Sequence, residues 1–198
     1  MRSDLTRRGL FGGLLAIAAA PALAGSEGRR LAQLARDVLE RHGAVAQHRD
    51  VVGIADFSQP SRRPRFFIVD VTAGRATSHL CAHGRGSDPA HTGWLQRFSN
   101  EPGSNASSDG VYLTGAHYVG RHGRAQRLRG LDPSNSNAEA RAIVIHAAWY
   151  VDDTLVRSHG KIGRSEGCFV FTDPSLDEVL ARLGPERLLA AGRYDLAG

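Results

Sequence analysis

The sequence predicts a mainly β domain of the α+β class, with helices packed outside its sheets. Three observations carry that expectation. Short runs rich in valine, isoleucine and phenylalanine recur between clusters of glycine, proline, serine and asparagine, the punctuation of an antiparallel-rich fold. Helical periodicity appears in only two stretches of the mature chain, about 27 to 42 and 174 to 183. The 198 residues, 41% of them hydrophobic, suit one domain with a full core rather than two small ones.

The chain opens on a leader. Thr6-Arg7-Arg8-Gly9-Leu10-Phe11 is a twin-arginine n-region, Leu10 to Ala20 is apolar, and Ala22-Leu23-Ala24 has the small residues of a cleavage site. Residues 1–24 are therefore expected to be a twin-arginine-type signal peptide, leaving 25–198 as the exported, periplasmic domain. The alternative, an uncleaved anchor, suffers from an apolar stretch shorter than the ~20 residues a bilayer needs. The rest of the sequence contains no comparable run, so no integral membrane span is expected in the mature chain.

Ser26-Glu27 then starts a helix to about His42, with Leu31, Leu34, Ala35, Val38 and Leu39 on one face and Gly43 at its end. Val51 to Phe57, Arg65 to Val71 and Arg75 to Ala82 read as strands. Residues 84 to 110 form a long polar region holding Trp94, Leu95 and Phe98; loops of that length are functional or disordered, and the three large apolar residues favour packing. Val111 to Thr114 and His117 to Gly120 look like two strands. A further apolar run, Ala142 to Val151, carries His146, and 152 to 167 is expected to be a loop. Asp173 is placed as the cap of a helix with Pro174 at its first position, and Leu188 to Tyr194 as a closing strand.

Two cysteines, Cys81 and Cys168, are too few for a disulfide scaffold, although an exported chain with an even count could join them. The net charge of +5 lies in arginine far more than lysine, which favours carboxylate-bearing or other anionic ligands. Basic blocks interleaved with aromatics are missing, and no nucleic-acid partner is expected.

The chemistry concentrates in Gly163-Arg164-Ser165-Glu166-Gly167-Cys168 and Ile143-Val144-Ile145-His146. A cysteine at a glycine-turn-to-strand junction can present its thiol beside main-chain N–H groups, as a nucleophile beside an oxyanion site requires. A histidine ending a strand has the rigid support of a general base. Read from these residues alone, Cys168 is as well explained as a small buried core residue.

Together these segments resemble the catalytic region of the L,D-transpeptidases (YkuD-type), and in particular their murein L,D-transpeptidase-like branch. The resemblance extends to Ile54-Ala55-Asp56-Phe57-Ser58, His83-Gly84-Arg85-Gly86-Ser87, Phe98-Ser99-Asn100, Ser107 to Tyr112 and Gly130-Leu131-Asp132, roughly residues 50 to 194. It implies an L,D-transpeptidase-like β-sandwich with peripheral helices. It implies an enzyme that acts on peptidoglycan stem peptides through a cysteine acyl-enzyme, giving cross-linking or trimming without metal or cofactor. Cys168 would be the nucleophile and His146 the base, with Gly167, Ser165 and Arg164 at the oxyanion and substrate positions. The chain departs from many members of the family at Glu166, where a second histidine is common, at Val170, where arginine is common, and at Ala147, where glycine is common.

Two rivals remain. A non-catalytic peptidoglycan-binding module on the same fold would accommodate Glu166 and Val170. A zinc-dependent hydrolase could use His79, Cys81 and His83, which alternate along an extended segment, with His91 as a fourth ligand. His122 and the other scattered histidines have no partner pattern in the sequence.

Overall fold

A computed structural model describes residues 25–196; the signal peptide expected at 1–24 lies outside them. Eight strands form one sheet, β1 (Val51–Asp56), β2 (Phe66–Asp70), β3 (Arg75–His79), β4 (Gly110–Gly120), β5 (Gly123–Gly130), β6 (Val144–Ala147), β7 (Phe169–Phe171) and β8 (Leu188–Gly192). Their order is β3-β2-β1-β8-β4-β5-β6-β7. Most neighbours are antiparallel; β1–β8 and β6–β7 are parallel. The sheet curls until its two ends nearly meet. Just past β3, the Ala82 N–H donates to the Val170 carbonyl of β7 (3.0 Å), and Phe66 of β2 packs edge-on against Phe171 at 4.8 Å.

The curl creates an inner core in which Phe57, Phe66, Tyr112, Leu128, Ile143, Ile145, Phe169 and Phe171 meet. The helix α3 (Asp173–Leu183) covers that core with Leu176, Val179, Leu180 and Leu183, all buried. An 11-residue helix is marginal in water, and burial at about 1.5–3 kcal/mol per large apolar side chain is what holds it. On the opposite face, α1 (Gly25–His42) lays Leu31, Ala35 and Val38 against Val52, Ile54, Val111, Leu113, Leu188 and Ala190.

The expected architecture stands, with four local corrections. The segment expected to close the sheet is central, because Leu188-Leu189-Ala190-Ala191-Gly192 is buried throughout and pairs with both β1 and β4. An apolar run without alternation belongs where both faces are covered. The two strands expected at 111–120 are one, bulged between Thr114 and His117. The loop 152–167 contains a helix, α2 (Asp153–His159), capped by the Asp152 side chain and ended by Gly160 at φ +69°. It has no buried residue and so left no apolar period in the sequence; parallel β6 and β7 require a long crossover, and α2 is part of it. In α3 the cap is Thr172, whose hydroxyl accepts the Ser175 N–H, with Asp173 already helical.

Several blocks that carried the resemblance act as braces. The buried Asp56 carboxylate accepts N–H groups of Ser58, Tyr194 and Leu196, tying the end of β1 to the C-terminal tail. Asp132 accepts the Val111 N–H, while Asn100 holds Pro133, Ser136 and Asn137. The polar region 84–110 is consequently a pinned loop, as its aromatic residues suggested.

Candidate functional site

His146 and Cys168 come together because β6 and β7 are neighbouring parallel strands, with His146 in register with Val170 and Cys168 immediately before β7. Both line a cleft of about 470 Å³. Arg85, Arg121 and Arg164 give it a cationic rim, with Glu166 as its one carboxylate; Tyr150 and His122 complete the walls.

The His146 side chain is buried, and its Nδ1 lies 2.9 Å from the Ala147 carbonyl oxygen. A carbonyl only accepts, so Nδ1 carries the proton and Nε2 keeps its lone pair. The main-chain carbonyl of Ala147 is thus the orienting group, which makes the side chain at 147 unimportant for that purpose. Against the imidazole lies the His122 ring, centroids 4.3 Å apart and planes at 19°. Arg121 Nε donates to His122 Nε2 at 2.9 Å. These two residues form the turn between β4 and β5, and only the curl of the sheet brings that hairpin tip over β6. His122 was illegible in the sequence for this reason. Burial lowers the His146 pKa below the usual imidazole value; the Ala147 carbonyl opposes the shift, and His122 and Arg121 add to it.

Cys168 is a free, half-buried thiol whose Sγ lies 3.6 Å from the Ala142 carbonyl oxygen. Burial pushes its pKa up; a main-chain hydrogen bond from Val144, then Arg121 and Arg141, oppose this, and Glu166 reinforces it. A raised thiol beside a lowered imidazole makes the resting pair neutral, so a proton must move when the thiol reacts.

The turn before Cys168 explains its residue types. Gly167 has φ +120°, and a Cβ there would stand 2.7 Å from the Ala106 carbonyl oxygen and 3.2 Å from Arg141 Nη2. Only glycine fits such a position without strain. Ser165 is buried; its hydroxyl donates to the Cys168 carbonyl (2.8 Å) and accepts the Gly167 N–H (3.1 Å). Its main chain pairs with the His83–Arg85 segment: the Ser165 N–H donates to the His83 carbonyl (2.9 Å) and the Arg85 N–H to the Ser165 carbonyl (2.7 Å). Ser165 therefore shapes the turn. The Gly167 N–H, expected as an oxyanion donor, is already bonded to Ser165.

Arg164 lines the cleft, but Nη1 donates to the carbonyls of Asp88 and Pro89, so it anchors a loop as well as contributing charge. Arg141 holds the facing loop through Ser99, Ala106 and Ser108. Arg85 pairs with Glu166 at 2.9 Å across an exposed part of the rim.

Beneath the site runs a buried polar line. Arg65, fully buried, donates to the Cys81 carbonyl through Nε and Nη2, to the Gln59 carbonyl through Nη1, and through Nη2 to His83 Nδ1 at 2.8 Å. The other His83 nitrogen faces the Asp88 carboxylate at 3.4 Å. Desolvation, then Arg65, drops the His83 pKa to about 3, so the ring is neutral at physiological pH. The zinc arrangement fails on these contacts. His83 is committed to Arg65, His79 lies beside Thr77 and Glu178, His91 bonds the Ile162 carbonyl, and burial lifts the Cys81 thiol to about 12. Among the described residues no group of three potential ligands gathers to hold a metal ion.

A family model described as L,D-transpeptidase catalytic domain (YkuD_2) matches residues 29–191, most of the chain. The protein belongs to this L,D-transpeptidase family. Solved structures of similar chains include an L,D-transpeptidase from Mycobacterium smegmatis (13% identity, 72% of this chain and 58% of that one, TM-score 0.44). L,D-transpeptidase 3 from Mycobacterium tuberculosis with a faropenem-derived adduct gives 13% identity over 72% and 60%, TM-score 0.44. Bd1075 from Bdellovibrio bacteriovorus gives 10% identity over 75% and 51%, TM-score 0.45. This L,D-transpeptidase-family chain thus spans three fifths or less of the length of those relatives. Curated proteins give no match. Among the described residues no helix is long and apolar enough to cross a membrane.

Proposed function

We propose that this protein is an exported cysteine L,D-transpeptidase that acts on peptidoglycan stem peptides through a Cys168 acyl-enzyme. The observation that carries the reading is the shared cleft of Cys168 and His146, with the imidazole's Nδ1–H already given to a carbonyl. His146 Nε2 takes the thiol proton as Sγ attacks the carbonyl after the third residue of the stem peptide. The S–C bond forms, the C–N bond breaks, and the imidazolium returns its proton to the departing amine. With the Gly167 N–H engaged, the Cys168 N–H is the donor of that pair left to hold the oxyanion. An acceptor amine then attacks the thioester to cross-link, or water attacks to trim; His146 again takes and returns the proton, and the thiol is restored. The cationic rim suits the carboxylates of such peptides, with Arg85 and Arg121 acting beside Arg164. No step requires metal or cofactor. The leader at 1–24 would deliver the domain to the periplasm, where this substrate lies.

The test is mass detection of a covalent adduct after incubation with a tetrapeptide muropeptide, or with a carbapenem as surrogate acyl donor. An adduct on Cys168 is expected in wild type and in Cys81→Ser, and none in Cys168→Ala. His146→Ala should slow acylation by ~10²–10⁴-fold, the usual weight of a general base. A wild-type protein that binds peptidoglycan but forms no adduct is a binding module instead.

A further inference from the structure

Both tryptophans of the chain stand at the surface, Trp94 at 43% and Trp149 at 84% exposure. Trp94 is presented by a segment, 88–96, that has no helix or strand yet is bonded along its length. The buried Asp88 carboxylate accepts the Thr92 N–H and hydroxyl and the Gly93 N–H at 2.8–3.0 Å. The Gly93 carbonyl accepts the Ser61 N–H (2.7 Å), and Arg193 Nη2 donates to the carbonyls of Leu95 and Gln96 (2.7 Å each). The Gln96 amide donates to the Trp94 carbonyl at 3.0 Å. A buried carboxylate is costly and needs such partners. Here it fixes a loop that buries Leu95 in the core and yet leaves its largest side chain, Trp94, half in water. An indole held rigidly at the surface beside a groove offers a flat apolar plate with a polar N–H edge, which suits a ligand that is itself part apolar and part polar.

Beside Trp94 lies an open groove of about 570 Å³, with Phe57 and Leu95 as apolar lining and Ser58, Gln96, Arg193 and Asp195 as polar lining. An indole plate surrounded by hydroxyl, amide, cationic and anionic groups matches a saccharide, whose C–H face packs on the ring while its hydroxyls find both donors and acceptors. Asp195 disfavours a phosphate-rich ligand, and the polar lining disfavours a lipid. The groove and the cleft share no lining residue, but their walls are braced against each other. Phe57 packs at 6.2 Å and 27° on Phe169, the residue after Cys168, and the Trp94 loop is tied to Ile162 and Arg164 through His91, Asp88 and Pro89.

We infer that the Trp94 groove is a carbohydrate subsite that takes N-acetylhexosamine units of a glycan strand; the choice of this saccharide rests on the proposed action on peptidoglycan. Trp149→Phe makes Trp94 the sole tryptophan, and titration with a β-1,4-linked N-acetylglucosamine tetramer should change its emission saturably. By calorimetry, Trp94→Ala should weaken that binding by about 10- to 30-fold, the effect of removing an aromatic anchor. Gln96→Ala serves as a second variant if Trp94→Ala melts early, and should weaken binding in the same direction. Unchanged emission up to millimolar tetramer overturns the inference. So does a saturable change in Trp94→Phe, where only Trp149 can report. The titration does not involve Cys168, so a missing sugar response with an intact Cys168 adduct removes the subsite alone. A sugar response without an adduct removes acyl transfer and leaves the groove.

Discussion

Replacing Gly167 by alanine tests whether the turn before Cys168 is as constrained as its geometry implies. The backbone there has φ +120°, a region in which an L-residue costs about 1–3 kcal/mol. The new methyl would also meet the Ala106 carbonyl oxygen at 2.7 Å, and that carbonyl is held by Arg141. Carbon and oxygen need more room than this, so the turn must shift by some tenths of an ångström or the loop must yield. At ~2–4 °C per kcal/mol for a domain of this size, the melting temperature should fall by about 2–12 °C. The larger consequence is local: a displacement approaching 1 Å at a reacting atom costs on the order of 10²-fold in rate. Thermal unfolding, followed by the carbapenem acylation rate of Cys168 at a temperature where the variant is folded, separates the two effects. A Gly167→Ala protein that melts and acylates like wild type would refute the reasoning, because neither strain nor close approach would then matter.

Other outcomes follow from the same contacts. Acylation should rise with pH as His146 loses its proton, with a midpoint below the usual imidazole value of about 6.5 because burial lowers that pKa; a rate profile from pH 4 to 8 locates it. Stability should fall on acidification from about 6.5 toward 3. Over that window His83 in the unfolded chain takes up a proton that the folded ring, with its pKa near 3, refuses. The loss amounts to several kcal/mol in order of magnitude, and urea unfolding should show a shallower pH dependence in His83→Asn, which keeps an acceptor for Arg65 without a titrating group. In a bacterial host, Arg7→Lys with Arg8→Lys should leave uncleaved precursor in the cytoplasm, read by fractionation and intact mass; normal export would remove the twin-arginine assignment.

The chain's local chemistry was legible residue by residue. Apolar runs between glycine and proline clusters marked most strands, helical period marked α1 and α3, and a glycine before Cys168 with a histidine ending an isoleucine-rich strand marked the candidate site. These signals survive in one dimension because each depends on neighbours a few residues away. The partners of Arg164 and Ser165 did not, since they come from the His83–Pro89 segment, more than seventy residues earlier. His122 likewise meets His146 only because a hairpin tip is carried over a neighbouring strand. Arg65 was legible only as the first residue of an expected strand; the curled sheet closes over it and supplies carbonyls for its guanidinium. Strand order, the central place of β8, the neutral Cys168–His146 pair and the donors left free around it are products of long-range packing and desolvation. Burial and distance depend on the whole fold, whereas turn, strand and helix preferences are written in the adjacent residues.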